Sequence, residues 1–103
     1  MNIYIDDVRP APEGYILCRS TNEALRVIVT NIDKIKVIDL DHDMGDAPGG
    51  DAIKVLQELE RKSSRNKEFR DSVKKILFKL HSMNPVGVEN MRAIIQKNGW
   101  VEV

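Results

Sequence analysis

Three short apolar runs in this chain end in groups that have no place in a hydrophobic core. Ile3-Tyr4-Ile5 is followed by Asp6-Asp7, Val37-Ile38-Asp39-Leu40 by Asp41-His42-Asp43, and Ile76-Leu77-Phe78-Lys79-Leu80 by His81-Ser82. Unpaired charge is costly to bury, so carboxylates and imidazoles gathered at such places face water, a metal or a substrate. Asp6, Asp7 and Asp41 supply hard oxygen ligands with few imidazoles, a set that suits Mg²⁺ or Mn²⁺ better than Zn²⁺. Asp39, two residues before Asp41 on the same strand face, reads either as a buried hydrogen-bonded carboxylate or as a support for that cluster. His42 and His81 are the only histidines, and imidazole is the side chain best matched to proton transfer near neutral pH. Asp41 and Asp43 flank His42 and would favour its protonated form.

The same region carries groups suited to a phosphate. Asn84-Pro85 is a helix start, with Asn as cap and Pro at the first helical position. Its free N–H groups, together with Ser82, form an expected anion cradle, and Gly87 lets a phosphate approach without a Cβ in the way. Arg9, held between the first strand and Pro10, is placed to pair with a phosphate in bidentate fashion. The bland alternatives are a turn or cap at Asp6-Asp7, packed histidines, and an ordinary helix start at Asn84.

These groups need a frame that brings strand ends together. Residues 2–5 read as the first strand, followed by the stiff, non-helical segment Arg9-Pro10-Ala11-Pro12-Glu13-Gly14. A second strand covers about 15–18, and Ser20 with Glu23 opens a helix to about Thr30. A third strand spans about 35–40, and a helix begins near Asp51 after a Gly/Pro loop, burying Ile53, Leu56 and Leu59. Residues 60–74 are charged and read as a loop, a short helix or both, with Phe69 and Val73 as anchors. A fourth strand at about 75–80, a helix from Asn84 to about Asn98 ended by Gly99, and a last strand from Trp100 complete the order. Strands alternating with helices imply a mostly parallel sheet, with ligands bound outside the carboxyl ends of its strands. The connection between the first two strands is too short for the usual helical crossover, which leaves the direction of strand two open.

Composition bounds the rest. One domain over 103 residues, with 42% hydrophobic and 31% charged residues, is ordinary for a globular protein. Sixteen basic and sixteen acidic residues cancel, so no overall field draws in duplex nucleic acid or an anionic membrane. No apolar run approaches the roughly 20 residues of a spanning helix. The lone cysteine, Cys18, lies in an apolar run as an expected buried thiol, and the absence of disulfides and of a basic leader fits a cytoplasmic protein.

The arrangement resembles the receiver (CheY-like) domain of two-component signalling. Asp6-Asp7 matches the acidic pair after the family's first strand, Asp41 its phospho-accepting aspartate, and Ser82 its hydroxyl position. The first helix is missing, as are the last helix and the lysine found after strand five. A closer resemblance is to the receiver-like group described as cyclic-phosphate-processing, in the motifs Asp6-Asp7-Val8-Arg9-Pro10, Leu40-Asp41-His42-Asp43-Met44-Gly45 and His81-Ser82-Met83-Asn84-Pro85-Val86-Gly87. This implies an α/β, three-layer αβα fold with a mostly parallel five-stranded sheet, receiver- or flavodoxin-like, lacking first and last helices. The activity it implies is a phosphoesterase acting on a cyclic phosphate, such as a 2′,3′-cyclic nucleotide or RNA end. Its catalytic residues would be His42, His81 and Asp41; Arg9, Ser82 and Asn84 would hold the phosphate, and Asp6, Asp7 and Asp41 a cation. Two alternatives stand beside it. One is a degenerate receiver phosphorylated at Asp41; the other is a metal phosphatase using Asp41 and Asp43, as Asp-x-Asp after a strand resembles haloacid-dehalogenase enzymes.

Overall fold

The computed structural model describes residues 1–103. Strands β1 (Asn2–Ile5), β2 (Tyr15–Cys18), β3 (Val37–Leu40), β4 (Leu77–Leu80) and β5 (Val101–Glu102) form one sheet in the order β2-β1-β3-β4-β5. Every pairing is parallel, which settles the direction of β2. The nine residues from Asp6 to Gly14 need only return along a strand of about 13 Å, well within the ~30 Å an extended segment of that length can reach. The expected parallel, receiver-like α/β architecture is therefore present.

Four helices join these strands: α1 (Thr21–Thr30), α2 (Ile53–Ser63), α3 (Lys67–Val73) and α4 (Pro85–Lys97). Caps begin three of them. The Ser20 hydroxyl accepts from the Glu23 N–H, the Asn66 side chain from Phe69, and the Asn84 side chain from Gly87. Asn66 thus resolves the stretch 60–74, where α2 runs on to Ser63 and a second short helix follows. Val73 is buried and Phe69 partly buried against the core, as anchors. The helix expected from Asp51 begins at Ile53, because the Asp51 carboxylate accepts from the Met44 N–H and closes the preceding loop instead. Strands β3 and β4 are shorter than the apolar runs suggest: Ile35 and Ile76 are buried ahead of the ladder rather than in it.

The crossovers β2→β3, β3→β4 and β4→β5 all move the same way across the sheet. Right-handed connection then puts all four helices on one face, where α2 touches α1, α3 and α4. Ile3, Ile5, Ile38, Leu40 and Phe78 point to that face and form its fully buried core, with Leu56, Leu59, Met91 and Ile95 from the helices. The β1→β2 connection runs the opposite way, so the layer on the other face consists of the extended segment 6–14 rather than a helix. Register places Tyr4, Asp39 and Lys79 side by side on this second face. Trp100 stacks on Phe78 with ring centroids 5.2 Å apart and fastens the short β5 to the core. No helix is long and apolar enough to cross a membrane.

Candidate functional site

Ladder hydrogen bonds continue one residue past the strands and set three chain ends next to one another. Asp6 N–H donates to the Cys18 carbonyl, Asp41 N–H to Ile5, and His81 N–H to Leu40. Asp6, Asp41 and His81 are therefore neighbours at the carboxyl edge of β1, β3 and β4. Their side chains follow the Tyr4–Asp39–Lys79 face, because side-chain direction repeats every second residue.

Asp6 is fully buried and saturated with donors. Its Oδ1 accepts the backbone N–H of Val8 and of Arg9, each at 2.9 Å, which folds residues 6–9 into a tight turn. Its Oδ2 faces His81 Nε2 at 3.0 Å and Arg9 Nη1 at 3.4 Å. Burial alone would raise this carboxyl, but the N–H groups of Arg9 and Val8, then His81, outweigh it and hold the acid below its usual range.

His81 is bound at both ring nitrogens. Nδ1 lies 2.5 Å from Asp39 Oδ1, and Nε2 lies against Asp6. A carboxylate at each ring nitrogen favours the form in which both nitrogens donate, the imidazolium. Burial pushes the ring toward neutrality, but the hydrogen bonds to Asp39 and Asp6 prevail and raise its pKa above the ordinary histidine value. Tyr4 stacks flat on this ring, centroids 4.4 Å apart and planes at 4°, so an aromatic face meets the cation. Asp39 is thus a buried hydrogen-bonded carboxylate that fixes His81, one of the two roles open to it from sequence.

Asp41 completes this group, and a second one forms from His42 onward, across the sheet edge. Asp41 Oδ1 accepts the His42 backbone N–H at 2.7 Å, and its Oδ2 lies 4.0 Å from Arg9 Nη1. The His42 ring turns to the opposite face, where Nδ1 meets Asp43 Oδ1 at 2.7 Å. Asp43 is steadied by Asn84 Nδ2 at 3.1 Å; His42 and then Asn84 lower its carboxyl pKa. The ring presses on the first turn of α4: a Cβ at Gly87 would come within 2.5 Å of its Cγ. Gly87 therefore makes room for an imidazole. His42 Nε2 makes no hydrogen bond within the chain.

The sequence-derived candidates thus divide. Asp6, Asp41 and His81 offer ligand atoms within 4.8 Å of one another, and His42, Asp43 and Asp51 do the same as a separate group. Asp7 joins neither; its Oδ2 packs against the Gly45 backbone, where a Cβ would stand 2.9 Å away. Arg9 reaches the first group and also donates to the His81 carbonyl at 3.1 Å. The helix-start cradle is mostly spoken for. Pro85 has no N–H, the Gly87 N–H goes to Asn84 Oδ1, and the Asn84 N–H goes to Ser82 Oγ, leaving the Val86 N–H and the Ser82 hydroxyl proton. Asn84 acts through its cap and through Asp43.

Two participants have no sequence signal. Arg19 Nη1 donates to the carbonyls of Arg9 at 2.7 Å and Asp6 at 3.3 Å, clamping the turn from β2. Tyr4 reads as an ordinary strand aromatic until the register sets it beneath His81.

Comparison with known families adds one match, to the cyclic-phosphate processing receiver domain, over residues 1–97. No curated protein and no solved structure matches the chain.

Proposed function

The chain belongs to the cyclic-phosphate processing receiver domain family, and from that premise we propose that it is a phosphoesterase opening a cyclic phosphodiester, such as a 2′,3′-cyclic nucleotide or RNA end. The observation that carries this reading is the His42 dyad. Asp43 holds Nδ1 in place, Asn84 holds Asp43, and Nε2 is left open beside the first turn of α4. An imidazole whose Nδ1 is tied to a carboxylate and whose Nε2 is left open has the geometry of a general base that takes a proton from water. The hydroxide oxygen bonds to phosphorus, a P–O ester bond of the ring breaks, and the released oxygen takes a proton from solvent to give a phosphomonoester.

The two histidines have different work in this scheme. His81 would have to break its bond to Asp6 or Asp39 before it could transfer a proton, so its contribution is fixed positive charge beside the phosphate. Arg9, the Ser82 hydroxyl and the Val86 N–H supply donors to the phosphoryl oxygens, where charge builds in the transition state. Asp41 separates the two groups and orients the His42 backbone.

The test is turnover of 2′,3′-cyclic nucleotides across pH by wild type, Asp43→Asn and His81→Gln. Asp43→Asn should depress kcat and alter its acid limb, because a neutral amide no longer orients and polarises the base. His81→Gln should lower the rate without moving that limb. A pH profile that follows His81→Gln instead would transfer the proton-carrying role to His81.

A further inference from the structure

In receiver-like sheets the acidic strand ends suggest a divalent cation, and Asp6, Asp41 and His81 are spaced closely enough to attract one. Their atoms are otherwise engaged. Asp6 uses Oδ1 for two backbone N–H groups and Oδ2 for His81 and Arg9. His81 has no nitrogen free, and Asp41 has one oxygen on the His42 N–H. Mg²⁺ asks for near-octahedral oxygen donors at about 2.0–2.1 Å, and Mn²⁺ for a similar oxygen-rich set. The residues present do not fit such an ion without losing this network.

A cation already stands at the meeting point. Arg9 Nη1 is surrounded by three oxygens from three strand ends: the His81 carbonyl at 3.1 Å, Asp6 Oδ2 at 3.4 Å and Asp41 Oδ2 at 4.0 Å. Arg19 pins the Arg9 and Asp6 carbonyls, and Pro10 stiffens the chain beyond, so the guanidinium is delivered from a fixed turn. Its side chain stays 41% exposed, which leaves its other N–H groups facing solvent and an incoming anion. Arg9 and His81 thus stand as two cationic side chains among the carboxylates of Asp6, Asp39 and Asp41, with the guanidinium in the place a divalent ion would take.

We propose that the Arg9 guanidinium, backed by His81, is the resident cation of this site, and that Asp6, Asp41 and His81 hold no divalent metal when the phosphate ligand is engaged. Arg19 is a positioning residue for it. The ligand part of this inference rests on the cyclic-phosphate reading; the cation part does not.

The experiment uses Mn²⁺ as a paramagnetic probe on the full chain, read by NMR. In wild type the amide signals of Asp6, Asp41 and His81 should keep their line widths through millimolar Mn²⁺. Arg9→Ala empties the centre, and those three signals should then broaden selectively, an effect removed by adding Asp6→Asn. Arg9→Lys, which keeps a charge, covers the case in which Arg9→Ala fails to fold, and should resist broadening as wild type does. Selective broadening of the three signals in wild type overturns the proposal outright. Because no turnover is measured, failure of the phosphoesterase reading cannot masquerade as failure of this one. A second arm titrates inorganic phosphate in EDTA: signal shifts at Arg9 and Ser82 are expected, and shifts appearing only after Mn²⁺ is added would overturn the metal-free engagement.

Discussion

Gly87→Ala is the most informative single substitution, because fold and site respond to it in opposite ways. Gly87 sits in the first turn of α4 at an ordinary negative φ, so alanine suits its backbone. Within a helix the change would stabilise by roughly 0.8–1.0 kcal/mol through chain entropy. The new Cβ, however, would fall 2.5 Å from His42 Cγ and 2.7 Å from both Cδ2 and Nδ1, distances that real contacts never adopt. The ring must leave, and with it goes the hydrogen bond to Asp43. That bond joins a charged acceptor, worth at most about 1.5–3 kcal/mol, and less here because the Asp43 side chain is 62% exposed. The two effects nearly cancel, so stability should stay within about 1 kcal/mol of wild type, a shift of roughly 4–8 °C or less in Tm. Catalysis has no such compensation: losing the oriented base should cost roughly 10²–10⁴-fold in kcat. Thermal unfolding by circular dichroism, the His42 Cε1–H NMR signal and cyclic-nucleotide turnover measure the three quantities. An unmoved His42 signal with a wild-type rate would refute the claim that the glycine exists to seat the imidazole.

Three further outcomes follow from the same geometry. Asp39→Asn leaves the buried His81 without its Nδ1 carboxylate, and breaking a buried pair this way should cost about 3–5 kcal/mol in a urea titration; a loss under roughly 1 kcal/mol would mean that His81 is not held as a cation. Stability should also fall at both ends of the pH scale. The raised His81 pKa contributes stability that is complete below its unfolded value of about 6.5 and disappears as pH rises through the folded value, while the lowered Asp6 pKa contributes stability present above about 3.9 and lost as pH falls through the folded value. Tm measured against pH should show the alkaline loss in wild type and a flatter alkaline limb in His81→Gln; identical limbs would remove His81 from the account. Finally, acetyl phosphate with Mg²⁺ should leave no stable adduct on Asp41, and a mass increase abolished by Asp41→Asn would favour the signalling alternative.

Much of the frame was legible because its signals are local. The Asn84-Pro85 start, the Ser20 cap and the apolar runs each declare themselves within a few residues, and their alternation specified a parallel sheet whose carboxyl edge gathers Asp6, Asp41 and His81. The partition of the site was less legible, since it depends on register. Asp41 and His81 stand opposite each other on adjacent strands, so His42, one residue on, turns to the other face, and a one-residue step is all that separates one cluster of two histidines from two clusters of one. Asp7 departs from Asp6 for the same reason. Arg19 and Tyr4 could not be read at all, because their roles arise from neighbours 10 to 77 positions away that only the folded sheet supplies. The charged stretch after Glu60 hid α3 because its face is mostly solvated and its one clear cue, the Asn66 cap, lies among unrelated polar residues.

The central claim is that His42, oriented by Asp43, opens a cyclic phosphate. Its most direct test follows a 2′,3′-cyclic nucleotide by ³¹P NMR in the presence of EDTA, with wild type and His42→Ala compared at equal concentration. Wild type should convert the cyclic diester signal to a phosphomonoester, and His42→Ala should do so roughly 10²–10⁴-fold more slowly while unfolding at a similar temperature. Conversion by His42→Ala at the wild-type rate would contradict the account.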